Sequence, residues 1–303
     1  KQLGMRWVWP KTLIHPGARK IGRLLLPRLA GSGIYQLNVF VDTLCASLAS
    51  IVGPGGVSAI YYANRIVQFP QGIFGVALAS AVLPSFSSFA VQEDWKNLKT
   101  TLVFSLKNIF LIMLPISLLC FFLAFPIVRV LFERGEFTPY STQITANALL
   151  FYALGLWAYG GQKIITSAFF ALQDTKTPVK VGALCFLVNA VLNFLLMGPL
   201  KVGGIALASS IAVSLNFLLL FFLMDKRLAG LKEAMAGFIG RLVLASLGMA
   251  AVVAAGLRSG LILSESLRLL VIGFLGGVSF VFFAWMLRLD GVMGLMQWIF
   301  RKK

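Results

Sequence analysis

Long runs of apolar residues recur along the chain, and short segments that carry most of the charges separate them. A helix needs about 20 mostly apolar residues to cross the hydrocarbon core of a bilayer. Segments that meet this requirement lie at residues 29–52, 56–88, 103–126, 142–172, 179–199, 203–224, 237–257 and 267–288. The pattern predicts an all-α integral membrane protein with eight transmembrane helices, and no interval between the spans is long enough for a soluble domain.

Two of these segments, 56–88 and 142–172, are longer than a straight span needs. We expect them to tilt, to kink or to project beyond the bilayer. Pro70, flanked by Gly72 and Gly75, is the predicted kink in the first of them.

The composition supports a multi-pass membrane protein. Hydrophobic residues make up 59% of the chain and charged residues 12%, whereas soluble domains carry about 25% charged residues. Cys45, Cys120 and Cys185 lie in apolar runs without metal-ligand spacing. We therefore expect them to be small packing residues and not a disulfide framework.

The net charge of +17 would indicate a nucleic-acid partner in a soluble protein. In a membrane protein it raises the question of how the charges divide between the two sides. With the N-terminus in the cytoplasm, 20 of the 27 Lys and Arg residues fall in cytoplasmic segments and five in outer segments. Because cytoplasmic loops are enriched in these residues, we predict cytoplasmic ends. The basic excess then faces anionic lipid headgroups, without any nucleic acid.

Ionisable residues inside spans are costly and usually face a bundle interior or a watery cavity. Arg65 is such a residue, and it shares one predicted helix face with Tyr61, Gln68, Gly72 and Gly75. A polar stripe of this kind is typical of a cavity wall. An arginine fork suits phosphate oxygens, so we favour an anion contact; the alternative is a structural ion pair, for which Asp42 is the candidate partner.

The other ionisable residues inside spans are Asp42 and Lys163. Together with Asn189, Asn193 and Ser209, Asp42 could form an oxygen cage for a hard cation, or these side chains could be ordinary interhelical hydrogen bonds. Lys163 could line the cavity, or its long stem could reach towards the inner membrane surface.

No catalytic constellation is present in the sequence. A Ser/His/Asp set, clustered His or Cys ligands and a G-x-x-x-x-G-K-[ST] phosphate loop are all missing. The sequence therefore indicates a transporter or another membrane protein, and not an enzyme.

Four motifs carry a resemblance to a known family. They read, in order, DTLCASLAS, YYANRIVQFPQGIFGVALASAVLPSFS, LFERGEFTPYSTQIT and ALQDTKTPVKVGALCFLVNAVLNFLLMGPLKVGGIALASSIA. Together they resemble the MurJ (MviN) family of lipid II flippases, which belongs to the MOP transporter superfamily. Members of this family serve bacterial peptidoglycan synthesis at the inner membrane.

The resemblance implies an architecture of two six-helix lobes around a central cavity, followed by two C-terminal helices. This chain is similar to the second lobe and the C-terminal helices, so we expect it to be part of a longer or split flippase. Residues 1–28 would then be a basic cytoplasmic or interfacial segment, residues 29–224 the six-helix bundle, and residues 225–303 the two C-terminal transmembrane helices with a basic tail.

The resemblance also implies roles for individual residues. Arg65 matches a cavity arginine that is expected to meet the lipid II pyrophosphate, and the expected substrate contacts are Tyr61, Arg65, Gln68 and Lys163. Asp42, Asn189, Asn193 and Ser209 fall where some members hold a sodium ion, the sole cofactor implied. Here Asn193 replaces an aspartate and Ser209 a threonine, and these departures count against sodium binding.

The implied function is lipid II transfer from the inner to the outer leaflet by alternating access. The expected partners are lipid II, membrane lipids and a missing N-terminal six-helix lobe. Two alternatives remain: another MOP-type exporter, of drugs or of O-antigen lipids, and a membrane assembly partner that transports nothing.

Overall fold

A computed structural model of the chain describes residues 33–259, 264–291 and 293, and within these ranges the backbone is helical apart from short turns. Residues 33–47 form α1, and α2 (Ala49–Val52) follows after a break at Leu48. The predicted basic segment 1–28 lies outside the described residues.

The predicted span 56–88 is one continuous helix from Gly56 to Val91. It consists of α3 (Gly56–Pro70), a π-helical segment (Gln71–Val76) and α4 (Ala77–Val91). The irregularity predicted at Pro70 thus takes the form of a wide turn immediately after the proline. Such π segments bend helices and are frequent at functional sites.

The remaining helices follow one another with short connections. They are α5 (Trp95–Phe122), α6 (Ala124–Phe132), α7 (Pro139–Ala153), α8 (Leu156–Ala171), α9 (Lys176–Leu200), α10 (Val202–Leu228), α11 (Leu231–Arg258) and α12 (Glu265–Met286). The hydrophobic pattern did not predict α6, a short helix that connects α5 to the loop before α7.

Within the described residues, six helices are long and apolar enough to cross a membrane. They correspond to the predicted spans 56–88, 103–126, 179–199, 203–224, 237–257 and 267–288. The other two predicted spans are divided into shorter helices, since 29–52 contains α1 and α2 and 142–172 contains α7 and α8.

Side-chain hydroxyls satisfy the backbone where the segment 142–172 is interrupted. Ser210 Oγ donates to the carbonyl oxygen of Phe151 at 2.7 Å, and Ser117 Oγ donates to that of Ala153. A Cβ atom on Gly155 would lie 2.8 Å from Ser210 Cα, so glycine permits the close contact of this turn with α10. Non-helical backbone at membrane depth requires partners of this kind.

α10 is the most buried of the six long helices, and it packs along α7, α8 and α9. Its crossing with α9 is tight at Gly204, where a Cβ atom would lie 2.1 Å from the carbonyl oxygen of Leu196. Small residues allow such close backbone approach in membranes. α10 is therefore the centre of the helix bundle.

α11 and α12 pack against each other and along α5. Among the described residues, three ion pairs join this pair of helices to the rest of the chain, and one of them is between Lys232 on α11 and Asp225 on α10 at 3.4 Å. Lys107 on α5 lies 3.1 Å from Asp290, and Arg129 on α6 pairs with Glu265 at the start of α12.

Cys45, Cys120 and Cys185 are buried free thiols.

Candidate substrate cavity and cation site

A cavity of about 740 Å³ lies among α1, the continuous helix Gly56–Val91, α8, α9 and α10. The predicted site residues in its lining are Asp42, Gln68, Lys163, Asn189 and Ser209. The fold thus brings these five residues, which are far apart in the sequence, to the wall of a single cavity. Its volume falls within the range of about 300–1,000 Å³ that is typical of small-molecule sites.

Arg65 lies beside this cavity, on the exposed side of α3, and neither Arg65 nor Tyr61 is among its lining residues. Its Nη1 atom donates to Gln68 Oε1 at 3.4 Å, and its Nη2 atom donates to the Tyr61 hydroxyl at 3.2 Å. The guanidinium carbon lies 4.8 Å from the centre of the Tyr61 ring. Tyr61 and Gln68 therefore hold the guanidinium in place on α3. Of the helix face that the sequence predicted as a cavity wall, Gln68 lines this cavity, whereas Arg65 lies outside its lining.

The alternative interpretation, an ion pair between Arg65 and Asp42, is not what the structure shows. In the part of the chain that the structure describes, Arg65 has no acidic partner, and the carboxylate of Asp42 accepts hydrogen bonds from Asn193 and Ser209. The positive charge of Arg65 is thus available to an external anion.

Lys163 lines the cavity on α8. Its stem packs against the π-helical segment, since a Cβ atom on Gly75 would lie 3.4 Å from Lys163 Cδ. Within the described ranges no carboxylate pairs with Lys163. Of the two alternatives for this residue, the position in the cavity wall is the one observed.

Asp42, Asn189, Asn193 and Ser209 form a polar cluster between α1, α9 and α10. The Asp42 carboxylate accepts a hydrogen bond from Asn193 Nδ2 at 2.6 Å and another from Ser209 Oγ at 2.8 Å. The Asn189 amide contacts Asn193 at 3.0 Å and Ser209 at 3.2 Å. The structure therefore brings together all four residues of the predicted cation set.

One atom of the cluster lacks a partner. Asn193 is fully buried, and its Oδ1 atom has no hydrogen-bond donor. An unpaired buried acceptor is unusual, because leaving it unsatisfied costs about 1–3 kcal/mol. Asn193 directs its Nδ2 atom, and not this oxygen, towards Asp42 and Asn189, so the oxygens that the cluster offers to a hard cation are those of Asp42 and Ser209. Within the described residues there is no group of three His, Cys, Asp or Glu side chains that could hold a metal.

Sequence reasoning missed several polar residues of the cavity wall. Gln162 Nε2 on α8 donates to Asn216 Oδ1 on α10 at 3.0 Å, and both residues line the cavity. Tyr152 also lines this wall, as does Tyr159, which the sequence already placed one turn before Lys163. The available signal was the presence of amides and tyrosines within apolar runs, although the pattern alone does not place them on one surface.

Aromatic contacts connect α3 to the loop between α6 and α7. The Tyr62 ring centre lies 4.9 Å from that of Phe132 and 5.4 Å from that of Phe137. Glu133, in the same loop, accepts a hydrogen bond from Thr142 Oγ1 at 2.6 Å. The LFERGEF motif therefore packs against the helix that carries Arg65.

Comparison with known proteins identifies the relatives of this chain. The family described as "Lipid II flippase MurJ" matches residues 1–272. The "Lipid II flippase MurJ" of Burkholderia cenocepacia is 34% identical over 247 residues, which are 82% of this chain and 46% of that protein. The "Probable lipid II flippase MurJ" of Buchnera aphidicola from Acyrthosiphon pisum is 32% identical over 273 residues, which are 88% of this chain and 53% of that protein.

The fold is also found among solved structures. A lipid II flippase MurJ in an inward closed conformation superposes with a TM-score of 0.72 at 26% identity, covering 91% of this chain and 56% of that one. The chain thus spans about half the length of the relatives it matches. On the family match and these identities, this multi-pass membrane protein belongs to the MurJ family of lipid II flippases, which is a family of transporters and not of enzymes.

Proposed function

We propose that this chain is the second six-helix lobe, together with the two C-terminal helices, of a flippase for lipid II. The match of the MurJ family to residues 1–272 carries this proposal. In it, α1 with α2 and α7 with α8 each complete one span, so that the chain crosses the membrane eight times. The lobe occupies residues 29–224 and the C-terminal pair of helices residues 225–303, and both chain ends face the cytoplasm at the bacterial inner membrane.

The substrate contact in this proposal is Arg65. Its guanidinium is exposed and free of any acidic partner in the described residues, and Tyr61 and Gln68 fix its orientation. A pyrophosphate group offers several anionic oxygens, and a planar guanidinium binds two of them at once. Lys163, in the wall of the adjoining cavity, supplies a second positive charge for the same headgroup.

The transport step in this proposal is alternating access. The sugar-peptide headgroup enters the cavity beside Arg65 from the cytoplasmic side, the lipid tail stays in the membrane, and rocking of two lobes opens the cavity to the outside. Returning an empty, positively charged carrier down an inside-negative potential gains about 2.3 kcal/mol per charge per 100 mV. A sodium ion bound at Asp42, Asn189, Asn193 and Ser209 would add charge to the same lobe.

A translocation assay tests the proposal. The chain is reconstituted in proteoliposomes with fluorescent lipid II, alone and together with an N-terminal six-helix lobe from a MurJ protein. We expect translocation only when both parts are present. Activity of the Arg65→Ala variant equal to that of the unchanged chain would overturn the role of Arg65.

The same assay separates the alternative functions. Transfer of a drug or of an O-antigen lipid, with no transfer of lipid II, would indicate another MOP-type exporter. A complex with the N-terminal lobe that moves none of these substrates would indicate an assembly partner. Family membership favours the flippase over both alternatives.

A further inference from the structure

A second cavity, of about 600 Å³, lies where α5 ends and α10 begins. Its walls come from the end of α5, the start of α6, one side of α7 and the turn between α9 and α10. It shares no lining residue with the substrate cavity. It is therefore a separate space on the molecule.

The position of this cavity places it at a membrane boundary. α5 ends at Phe122, α9 ends at Leu200 and α10 begins at Val202, and each of these helices is long and apolar enough to cross the bilayer. The ends of spanning helices lie where the hydrocarbon core meets the headgroups. A bilayer lipid beside this surface has its phosphate at the level of the cavity and its chains at the level of the helices.

The walls of the cavity are apolar on one side and polar on the other. The apolar side consists of Phe121, Phe122 and Phe125, and Phe125 is 46% exposed. The polar side consists of Gln143 and Asn147, one turn apart on α7, and Lys201. Neither exposed amide has a hydrogen-bond partner within the described ranges, so both are available to a ligand.

Lys201 is the only charged residue in this lining. In the described part of the chain its ammonium has no carboxylate partner. Lys201 also forms the one-residue turn between α9 and α10, with φ of 52°. Glycine adopts this backbone conformation with less strain than lysine does. The sequence thus places an unpaired positive charge beside the aromatic wall at some cost in backbone energy.

We propose that this cavity binds an anionic phospholipid. Lys201 pairs with the lipid phosphate, Gln143 and Asn147 donate to its headgroup, and an acyl chain packs on Phe121, Phe122 and Phe125. The unpaired ammonium selects an anionic lipid, and the aromatic wall selects a molecule with a chain. The proposal is independent of lipid II transport, because the two cavities have no residue in common.

Native mass spectrometry of the purified chain tests this inference. The protein is incubated with an equimolar mixture of dioleoyl phosphatidylglycerol and dioleoyl phosphatidylcholine, and the retained lipid adducts are counted. We expect phosphatidylglycerol to be retained in preference. Lys201→Gln should lower its retention about fivefold, the effect of one basic residue near a lipid phosphate, and Lys201→Arg should preserve it.

The matched control is Arg258→Gln, which removes an exposed positive charge at the end of α11 from a residue that does not line the cavity. This variant should retain phosphatidylglycerol as the unchanged chain does. Circular dichroism checks that each variant keeps its helical content. Equal retention of the two lipids, or unchanged retention in Lys201→Gln, would overturn the proposal.

Discussion

At the scale of single residues, the candidate substrate contact is an arginine that its own helix holds in place. Tyr61 and Gln68 lie one turn before and one turn after Arg65, and both accept hydrogen bonds from its guanidinium. This arrangement fixes the direction of the fork before any ligand arrives, which reduces the ordering cost of binding. In the proposed site, binding therefore depends on the planar shape of the Arg65 guanidinium as well as on its charge.

Arg65→Lys therefore tests shape against charge. Lysine keeps the positive charge but loses the planar pair of donors, so we expect a loss of about 2 kcal/mol in substrate interaction, or roughly 30-fold in the rate of lipid II translocation at low substrate concentration. Thermal stability should not change, because Arg65 is exposed. Arg134→Lys, in the exposed loop before α7, is the control. A fully active Arg65→Lys variant would show that charge alone suffices.

The cation cluster leads to a second residue-scale prediction. Asn193→Asp places a second carboxylate beside Asp42, in contact with the same buried atoms. We expect sodium to raise the melting temperature of this variant by a few degrees more than that of the unchanged chain, because a ligand that binds the folded state stabilises it.

The readout is melting temperature in sodium chloride against choline chloride at equal ionic strength. Asn108→Asp, on α5 and outside the cluster, provides the charge-matched control. If sodium and choline give the same melting temperature for Asn193→Asp, these residues are hydrogen-bonding contacts between helices and not a cation site.

Asp174, in the turn between α8 and α9, gives a pH prediction. Burial alone would raise the pKa of Asp174, but the backbone N–H and hydroxyl of Thr177 and the guanidinium of Arg227 outweigh burial and hold this pKa below its ordinary value. A carboxylate with a lowered folded pKa contributes stability at neutral pH. That contribution disappears as the pH falls below about 4, through the folded pKa.

Asp174→Asn should therefore destabilise the protein by about 1 kcal/mol at pH 7, the typical contribution of a capping carboxylate. The difference in melting temperature between the variant and the unchanged chain should shrink as the pH is lowered from 7 to 3. Asp94→Asn is an informative comparison, because Asp94 caps α5 in a similar way without an arginine partner in the described residues. A difference that is constant with pH would contradict the assignment.

At the scale of elements, the contact between α9 and α10 depends on a single missing side chain. Gly204→Ala places a methyl group against the backbone of α9, at a position only 2.1 Å from the carbonyl oxygen of Leu196. Because backbone cannot move aside as a flexible side chain can, we expect destabilisation of about 3 kcal/mol. Gly198→Ala, in α9 with no atom within 4 Å of its new Cβ, should have little effect in the same melting experiment.

A comparison of the predicted and observed helices shows which of them can be predicted from hydropathy. Hydropathy located six long helices because each is apolar over its whole length. It could not resolve the breaks at Leu48 and Gly155, which depend on contacts with distant residues such as Ser210. It also missed α6, which is too short to cross a membrane. Pro70 indicated an irregular region, but local sequence does not distinguish a kink from a π turn.

Prediction of the site has a similar limit. The spacing of Tyr61, Arg65 and Gln68 on one helix face was readable, since it depends only on the helical period. The hydrogen bonds from Asn193 and Ser209 to the Asp42 carboxylate connect three helices, α1, α9 and α10. The residue types suggested these contacts, but nothing in their spacing required them. Gln162 and Asn216 went unnoticed because each is a single amide in an apolar run.

At the scale of the whole molecule, the proposed topology can be checked by labelling with thiol reagents. The native cysteines are buried, so they contribute little background. We expect Glu136→Cys, in the loop before α7, to react with a membrane-impermeant maleimide in intact spheroplasts. Gln173→Cys, in the turn after α8, should react only after the membrane is permeabilised.

The two cysteine positions test whether the segment formed by α7 and α8 crosses the membrane. Residues 136 and 173 flank the segment of α7 and α8, so they lie on opposite sides if that segment crosses the membrane once. Labelling of both residues from one side would show that α7 and α8 fold back. The proposed count of eight crossings would then be wrong.

The contact of Tyr62 with Phe132 and Phe137 has a consequence for control from outside the cell. Because the three rings are packed together, α3 cannot turn about its axis without displacing the loop before α7. In the proposed topology that loop faces the exterior. A molecule that binds the loop from outside can therefore act on α3, which otherwise lies within the membrane. An antibody fragment that grips the loop at Arg134 and Glu136 would restrain the orientation of Arg65 without entering the cavity.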